Sequence, residues 1–278
     1  MTQPRQVEEM SEADFGRIAD IARKDAGIEL PPSKMAMIQS RVFRHMRRSG
    51  FDHGLSRYID TILSDAERRH ELVSVLTTNV TGFFREPHHF ETLRTWLAGR
   101  SLGKSDRVRI WSAGCSGGHE PYSIAMTCHQ VWGDLEKRDL RILATDIDRD
   151  ILTRAREGNY TEAEVEKIAP ADLARFFRRD ETADTATFRV TPALQAPISF
   201  KPLNLHDRWP MSGPFDAIFC RNVVIYFSDD GRAALWPRFR DILAPGGLLF
   251  IGHSERIHPL QGSGFESAGV TTFRKVVP

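Results

Sequence analysis

The chain has 278 residues, of which 41% are hydrophobic, enough for about two domains with real hydrophobic cores. Its 38 basic and 37 acidic side chains nearly cancel, so the whole molecule is not a polycation for nucleic acid, and local charge must select its partners. The sequence has no apolar run of 18 residues and no apolar leader, which argues against a membrane span and a signal peptide. It has no CxxC pair, which argues against a disulfide framework and a zinc cluster. These features favour a reduced cytoplasmic protein.

Helical periodicity extends from residue 11 to about residue 100. Ser11 is a candidate N-cap, apolar residues follow at helical spacing, and Gly27 ends this first helix. Further helices are predicted at about 33–48, from about 55, and at about 66–76. We therefore predict an all-helical N-terminal domain at residues 1–78, followed by a linker at 79–106.

From about residue 107, apolar strands alternate with helices, which predicts a parallel α/β sheet. The predicted strands lie in the segments VRIWSA, LRILATDID, FDAIFC, LLFIGHS and VTTFRKVV. A helix in RAALWPRFRDIL is predicted to end at Pro245-Gly246-Gly247. Residues 159 to about 200 break the alternation, with a short helix and β-like pieces at 188–190 and 198–200. We interpret them as a small β-subdomain inserted into an α/β domain at 107–278.

A glycine-rich turn, Gly114 to Gly118, follows the first strand. Glycines let a backbone approach a ligand closely, and the N-terminus of the following helix favours anionic groups. The turn has neither the P-loop pattern nor the glycine pattern of the dinucleotide fingerprint. The NAD fingerprint also has an acidic residue after its glycines, but Asp146 follows this turn at a greater distance along the chain than that residue does. An acid at the end of the second strand can hold ribose hydroxyls, so S-adenosylmethionine is the obvious candidate cofactor. A tight turn without a ligand is the alternative.

Other polar residues occupy positions where a ligand is expected. Glu120 opens the next helix, where it either complements the helix dipole or faces the cationic methionine end of the cofactor. Arg221-Asn222 end a strand, and ligands of open α/β sheets bind outside the carboxyl ends of strands. Tyr226 follows among apolar residues, so it either takes part in the site or simply packs against its neighbours. The Asn/Asp-Pro-Pro-aromatic element typical of methyltransferases that act on base amino groups is absent here.

Resemblance to a known family rests on five segments together: TTNVTGFFREPHHF, RIWSAGCSGGHEPYSIAM, ATDID, FDAIFCRNVVIYF and LLFIGHSE. Over nearly the whole chain, and in the same order, they resemble the chemotaxis receptor methyltransferases, the CheR family. The resemblance implies a helical domain, then a Rossmann-like class I methyltransferase domain with an inserted β-subdomain. It also implies methylation of glutamate side chains on the cytoplasmic helices of chemoreceptors, with residues 79–106 covering the cofactor.

The resemblance also implies roles for individual residues. Arg85 and Tyr226 match the positions that the family associates with the reaction centre. His119 departs from the family pattern, which usually has a glutamate there, so the acidic cofactor contact is placed on Glu120. With Gly114 from the glycine-rich turn, the expected cofactor-binding residues are Asn79, Thr81, Arg85, Gly114, Glu120, Asp146, Asn204, Leu205, Arg221 and Asn222.

Residues 31–50 carry five basic side chains and no acid. Arg41, Arg44 and Arg48 fall at helical spacing i, i+3, i+7, on one stripe. We hypothesise that this stripe docks an acidic receptor helix through electrostatic complementarity, the alternative being a solvated face. Nucleic acid would also suit a basic helix, but the near-neutral chain argues against it.

The segment TTNVTGFFREPHHFE raises two structural questions. At least two of Phe83, Phe84 and Phe90 are expected to be buried between the domains. His88 and His89 are adjacent, and neighbours on a helix point about 100° apart, so they are expected to cap or pack rather than to chelate one metal.

Two alternatives to a receptor methyltransferase remain open. One is a methyltransferase of the same fold that acts on another carboxylate or a small molecule, and the other is a non-catalytic module that binds S-adenosylmethionine. A monomer is the default expectation. Some members of the family tether to a receptor's C-terminal pentapeptide through the β-subdomain, and the loop DETADTAT leaves open whether that occurs here.

Overall fold

The computed structural model describes residues 9–77, 79–100, 106–180 and 186–277. The chain forms two compact units. The first comprises Met1–Thr78 together with Tyr226–Gly231, and the second comprises Asn79–Ile225 together with Arg232–Pro278. Within the described ranges, none of the helices has the length and apolar character needed to cross a membrane.

Among the described residues, four helices lie wholly within the first unit, and each lies at or close to its predicted position. They are α1 (Glu12–Ala26), α2 (Met35–Arg48), α3 (Leu55–Leu63) and α4 (Ala66–Leu76). The Oγ atom of Ser11 accepts a hydrogen bond from the Asp14 amide at 3.1 Å, and Gly27 ends α1 with a φ of 67°. These are the N-cap and C-cap that satisfy the free backbone groups at helix ends. Residues Pro32–Lys34 form a 3₁₀ turn, so α2 begins slightly later than predicted.

Two contacts tie distant parts of the first unit together. The Arg41 guanidinium donates to the Leu76 and Thr77 carbonyls at 2.8 and 2.6 Å, so it caps the carboxyl end of α4. Phe227 forms a β-bridge with Ile28, although about 200 residues of chain separate them.

The second unit is built on a seven-stranded sheet. The strands of the second unit are β1 (Val108–Ala113), β2 (Leu140–Asp146), β3 (Asn159–Thr161), β4 (Phe177–Asp180), β5 (Thr187–Val190), β6 (Ile198–Pro202), β7 (Phe215–Cys220), β8 (Leu243–Ile251), β9 (Phe265–Gly269) and β10 (Thr272–Lys275). The main sheet has the order β6-β2-β1-β7-β8-β10-β9, in which the first five strands pair in parallel and β10 and β9 are antiparallel. A separate antiparallel sheet has the order β3-β5-β4.

Helices connect strands of the main sheet, so the predicted α/β fold class is confirmed: α6 (His119–Trp132) follows β1, α7 (Arg149–Glu157) follows β2, and α11 (Asp229–Ile242) lies between β7 and β8. α5 (His88–Ala98) precedes β1, and α8 (Glu162–Val165), α9 (Pro170–Phe176) and α10 (Pro192–Gln195) lie next to the strands of the separate antiparallel sheet. α11 begins within the segment assigned to the first unit.

The structure differs from the sequence prediction at three strands. β6 pairs in parallel with β2, so residues 198–202 belong to the main sheet and the antiparallel insertion ends near residue 190. Most of its DETADTAT loop, residues 181–185, lies outside the described residues. α11 ends at Ile242 and β8 already begins at Leu243, because a register shift in the β7–β8 pairing accommodates the Pro-Gly-Gly segment. β9 escaped prediction because only Phe265 of this edge strand is buried, which leaves no alternating pattern.

Aromatic side chains from the segment before α5 enter the core of the second unit. Phe83 is fully buried and lies 4.9 Å, centroid to centroid, from Tyr160 and 5.7 Å from Phe177. Phe90 is also buried and stacks on Phe219 at 6.0 Å. The burial of two of the three phenylalanines is therefore confirmed. These ring partners belong to the second unit itself, rather than to a boundary between domains.

Candidate active site

The carboxyl ends of parallel strands meet at one edge of the main sheet, where α/β folds bind ligands. Gly114 follows β1, Asp146 ends β2, Asn204 comes just after β6, and Arg221 follows β7. Backbone hydrogen bonds link these ends: the Gly114 amide donates to the Thr145 carbonyl at 2.8 Å, and the Leu203 amide donates to the Asp146 carbonyl at 2.9 Å. Most of the predicted cofactor residues are therefore brought to one edge.

Gly114 stands where no side chain can be accommodated. Its φ is 89°, and a Cβ atom there would lie 2.3 Å from Cγ2 of Val223. Both the left-handed backbone and the close approach require glycine. The turn after β1 is consequently held tightly against the turn after β7, with the Val223 side chain filling the space beside Gly114.

Asp146 organises the glycine-rich turn through its carboxylate. Its Oδ2 atom accepts a hydrogen bond from the Ser116 amide at 2.8 Å, and its Oδ1 atom accepts one from the Asp148 amide at 3.0 Å. Burial raises the pKa of Asp146 to about 6. Asp148 in turn accepts a hydrogen bond from the Asn79 side-chain amide at 2.9 Å, which places Asn79 beside this acidic pair.

Glu120 and Arg221 form a buried ion pair. Nη1 of Arg221 lies 3.0 Å from Oε2 of Glu120, and the Ser112 hydroxyl donates to Oε1 of Glu120 at 2.7 Å. Burial raises the pKa of Glu120, while the charge of Arg221 and the hydrogen bond from Ser112 act in the opposite direction. The carboxylate and the cation after β7, which the sequence assigned separately to the cofactor site, therefore form one unit.

Arg85 joins this cluster through its backbone. The Arg85 carbonyl accepts a hydrogen bond from Nη2 of Arg221, whereas the Arg85 guanidinium donates to the Val80 carbonyl at 2.9 Å. The Arg85 side chain is half-buried, as is Thr81 in the same segment. In this arrangement the Arg85 guanidinium closes its own turn, and its predicted contact with a cofactor or substrate stays a prediction.

Glu255 is a site residue that the sequence argument did not single out. It is 2% exposed, and its carboxylate accepts hydrogen bonds from the amides of Asn222, Val223 and Val224 at 2.9–3.1 Å. Asn222 has a φ of 59°, and this carboxylate holds the turn that contains it. In the sequence, Glu255 is only an acid in LLFIGHSE four residues after the end of β8, and no local pattern marks its role.

Asn204 and Leu205 form a buried turn after β6, each about 6% exposed. Oδ1 of Asn204 accepts a hydrogen bond from the His206 amide at 3.0 Å. The Leu205 carbonyl accepts hydrogen bonds from the Arg238 guanidinium at 2.7 Å and from the Trp209 indole at 3.2 Å. Arg238 and Trp209 therefore hold the Asn204–Leu205 turn in place next to the end of β2. At this position a nucleoside cofactor requires an apolar wall.

His119 packs between aromatic rings and beside a carboxylate, with its Nε2 atom 3.4 Å from Oε1 of Glu164. Its ring lies 4.7 Å from Phe83 and 4.7 Å from Tyr160, and the side chain is about 1% exposed. Burial lowers the pKa of His119 to about 4, so the imidazole is neutral near pH 7. At the position where the family usually carries an acid, this chain thus places an uncharged ring.

The remaining predicted site residues belong to the first unit. Tyr226 lies with its ring centroid 5.3 Å from the Lys34 ammonium group, so its role at the reaction centre stays a prediction. Arg44 and Arg48 are exposed on α2, whereas Arg41 is half-buried and caps α4. The predicted docking stripe therefore divides into one structural cation and two exposed ones.

The sheet order, the glycine-rich turn after β1 and the acid that ends β2 suit a nucleoside cofactor without phosphates. The glycine cradle at Gly114 and the buried carboxylates of Asp146 and Glu120 fit the uncharged ribose and the cationic methionine end of S-adenosylmethionine. Together, the fold and the site define an S-adenosylmethionine-dependent methyltransferase.

Comparison with known proteins identifies the family. Residues 79–273 match the model of the CheR methyltransferase, SAM binding domain, and residues 13–77 match that of the CheR methyltransferase, all-alpha domain. The chain belongs to the CheR methyltransferase family, and it is an enzyme of chemotaxis.

Curated relatives support this assignment along nearly their full length. A probable chemotaxis protein methyltransferase of Rhizobium etli is 43% identical over 255 residues, which cover 90% of this chain and 95% of the relative. The chemotaxis protein methyltransferase of Escherichia coli is 39% identical over 256 residues, covering 91% of this chain and 87% of the relative.

Proposed function

We propose that the protein transfers the methyl group of S-adenosylmethionine to glutamate side-chain carboxylates of chemoreceptors, yielding glutamate methyl esters and S-adenosylhomocysteine. The observation that carries this proposal is the buried Glu120–Arg221 pair, at the sheet edge that also holds Gly114 and Asp146. Membership of the CheR family supplies the receptor as substrate. The receptor's helices lie in the cytoplasm, and we place the enzyme there, as a monomer.

The proposed reaction is an in-line displacement. A bond forms between a carboxylate oxygen and the methyl carbon, the bond from that carbon to sulfur breaks, and sulfur keeps the electron pair. A glutamate carboxylate is already ionised at neutral pH because its reference pKa is about 4.3. No general base is required, so the protein contributes positioning and exclusion of water, which can supply roughly 7–11 kcal/mol of the barrier.

In this proposal the chain's own residues divide the work. Asp146 accepts hydrogen bonds from the ribose hydroxyls, Glu120 faces the cationic methionine end, and the turns at Gly114 and Asn222 let the backbone approach. Asn79, Thr81, Asn204, Leu205 and Arg221 complete the cofactor-binding set. Attack by a carboxylate on a sulfonium merges two opposite charges, so a tight grip of Arg85 on the substrate would oppose reaction. We therefore assign Arg85 to orientation and Tyr226 to the reaction centre.

The direct test is methyl transfer from tritiated cofactor to cytoplasmic fragments of chemoreceptors. We expect label on the receptor that alkali releases as methanol, because esters hydrolyse in base whereas methylated amines do not. Arg85→Ala and Tyr226→Phe should each reduce the label sharply while leaving the fold intact. Alkali-stable label, or label on a small molecule alone, would indicate another methyltransferase, and cofactor binding without transfer would indicate a binding module.

We further propose that the exposed part of the basic stripe docks the receptor. The double substitution Arg44→Glu and Arg48→Glu should raise the KM for receptor fragments, and wild-type KM should rise with salt, because exposed charges are screened. Arg57→Glu, at an exposed position on α3, is the matched control. A KM that is insensitive to both salt and the double substitution would refute docking through this stripe. Methylation assays on receptor fragments with and without the C-terminal tail test whether the β-subdomain tethers the enzyme to that tail.

A further inference from the structure

Three potential metal ligands converge at the start of α5. Glu86, His88 and His89 each offer one ligand atom, and these atoms all lie within 4.8 Å of one another. Oε2 of Glu86 and Nδ1 of His89 are 3.6 Å apart. The Glu86 and His89 atoms, together with Nε2 of His88, are buried and make no hydrogen bond. Unpartnered buried polar atoms are rare in folded proteins, so this cluster calls for an explanation.

The local backbone explains how adjacent histidines can converge. Glu86 has a φ of 57°, and α5 begins at His88, directly after Pro87. At this first turn the His88 and His89 ring centroids come within 4.1 Å of each other, tilted by 55°. The expectation that neighbouring positions on a helix keep the two rings apart therefore does not hold at the helix start, where the preceding left-handed residue folds its carboxylate back over them.

His89 is oriented as a metal-bound histidine would be. Its Nε2 atom lies 2.8 Å from the Thr271 hydroxyl, which leaves Nδ1 directed at Glu86. The side chain is fully buried, and burial lowers the pKa of His89 to about 3, so the ring is neutral at pH 7. Ligating histidines characteristically use the second ring nitrogen for a hydrogen bond of this kind, which fixes the tautomer and the ring orientation.

The charged groups around Glu86 have two opposing effects on metal binding: they keep its carboxylate ionised, and one of them is a cation that repels a metal ion. Burial tends to raise the pKa of Glu86, but the nearby Arg221 and the hydrogen bond with His253 outweigh it, so the pKa is lowered and the carboxylate is ionised at pH 7. Arg221 lies 3.5 Å from Glu86 and its charge opposes a second cation. That guanidinium is also held by Glu120 and the Arg85 carbonyl, so it keeps two other acceptors when Glu86 turns towards a metal.

We propose that Glu86, His88 and His89 form a binding site for a divalent transition-metal ion such as Zn²⁺, with exposed His253 available as a fourth ligand. Nδ1 of His253 already lies 3.2 Å from Oε1 of Glu86. Imidazole nitrogens with one carboxylate select Zn²⁺, Co²⁺ or Ni²⁺ over Mg²⁺ and Ca²⁺, which take mainly oxygen ligands. Bonds of about 2.0–2.1 Å to Zn²⁺ require the ligand atoms to close in further, which rotation of the side chains supplies.

The test is Zn²⁺ binding to the full chain after treatment with a chelator, measured by competition with a chromophoric chelator. We expect one Zn²⁺ per chain with micromolar affinity, and visible absorption bands of low-coordinate Co²⁺ when Co²⁺ replaces Zn²⁺. His88→Gln should abolish stoichiometric binding. Thr271→Val, which removes only the hydroxyl that orients His89, should weaken binding by about 10–100-fold.

His53→Gln and His258→Gln are the matched controls, since both histidines are exposed and lie outside the cluster. Neither substitution should change the affinity. Thermal melting of each metal-free variant verifies the fold, and added Zn²⁺ should raise the melting temperature of the wild type but not of His88→Gln. The proposal is overturned if no stoichiometric Zn²⁺ binds, or if His88→Gln and Thr271→Val bind as tightly as the controls.

Discussion

Arg221 is the residue that links most parts of the site. Its side chain is only 2% exposed, and it contacts the Glu120 carboxylate, the Glu86 carboxylate and the Arg85 carbonyl. These partners come from the first turn of α6 and from the segment that precedes α5. A buried cation with several acceptors fixes loop positions, because leaving any one acceptor unpaired is costly.

Replacing Arg221 with methionine should therefore destabilise the protein strongly. The substitution keeps apolar volume but leaves Glu120 buried without its cation, and breaking a buried ion pair costs roughly 3–5 kcal/mol. Urea denaturation at pH 7 measures the change in the free energy of unfolding, with exposed Arg57→Met as the control. A loss below about 1 kcal/mol would show that Glu120 is stabilised independently of Arg221.

Asp146 should make cofactor binding dependent on pH. Its pKa is raised to about 6 by burial, so in the free protein the carboxylate becomes protonated as the pH falls through about 6. Ribose hydroxyls donate to the ionised form, so binding favours deprotonation. The Kd for S-adenosylmethionine should therefore be constant above about pH 7 and rise below pH 6, approaching tenfold per pH unit.

Calorimetric titration with the cofactor between pH 5 and 8 measures this effect. Asp146→Asn should bind more weakly throughout and show no inflection near pH 6. An inflection that persists in Asp146→Asn would assign the titration to another group and remove the support for a ribose contact.

The sequence predicted many of the residues that the structure brings together at the sheet edge, and the exceptions have a physical reason. Some residues were identifiable because a glycine or a charged side chain stands at the end of an apolar strand or at the start of a helix. These residues are Gly114, Glu120, Asp146 and Arg221. Glu86 and Glu255 were not identifiable, because their importance comes from partners that are distant in the chain. The pairing of Glu120 with Arg221, across about 100 residues, likewise follows from the topology rather than from any local pattern.

At the scale of elements, the turns after β1 and β7 are fitted to each other. Gly114→Ala introduces a methyl group 2.3 Å from Val223 and a side chain at a φ of 89°. A strained backbone of this kind costs roughly 1–3 kcal/mol, and the steric clash adds to it. We expect a lower melting temperature and much weaker cofactor binding.

A second substitution separates the two contributions. Val223→Ala in the Gly114→Ala background should restore part of the stability, because it removes the clashing methyl group but not the backbone strain. Gly82→Ala is the control, since a Cβ atom there meets nothing within 4 Å. Equal effects of the Gly82 and Gly114 substitutions would contradict the fitted arrangement.

Prediction at this scale succeeded where local signals were strong. α1 has a side-chain N-cap at Ser11 and a glycine C-cap, and the predicted boundaries of α1, α2 and α4 agree with the structure to within about two residues. β6 was misassigned to the insertion because five residues cannot reveal which strand they pair with, and β9 was missed because an exposed edge strand has little apolar pattern. The sheet to which a strand belongs is decided by its pairing with strands that are distant in the chain, and a short stretch of sequence carries no information on that pairing.

At the scale of the whole molecule, Phe227 connects the late part of the chain to the helical unit. It is 8% exposed and bridges to Ile28, while the Glu29 amide donates to the Tyr226 carbonyl at 2.8 Å. Phe227→Ala should destabilise the helical unit by roughly 3–5 kcal/mol, as expected for a buried phenylalanine. Hydrogen exchange should show lost protection in α1 with β1 unaffected, and Ile225→Ala, at an exposed position, is the control.

The discontinuity of the first unit restricts how such proteins can be recombined. A gene segment that ends at residue 78 encodes α1 to α4 but not the short piece at 226–231, which carries the Phe227 bridge and the first residues of α11 and completes the unit. Exchanging this part between relatives requires two crossovers, or one crossover followed by compensating changes near residue 227. The helical part is therefore expected to be inherited together with the catalytic part rather than shuffled as an autonomous module.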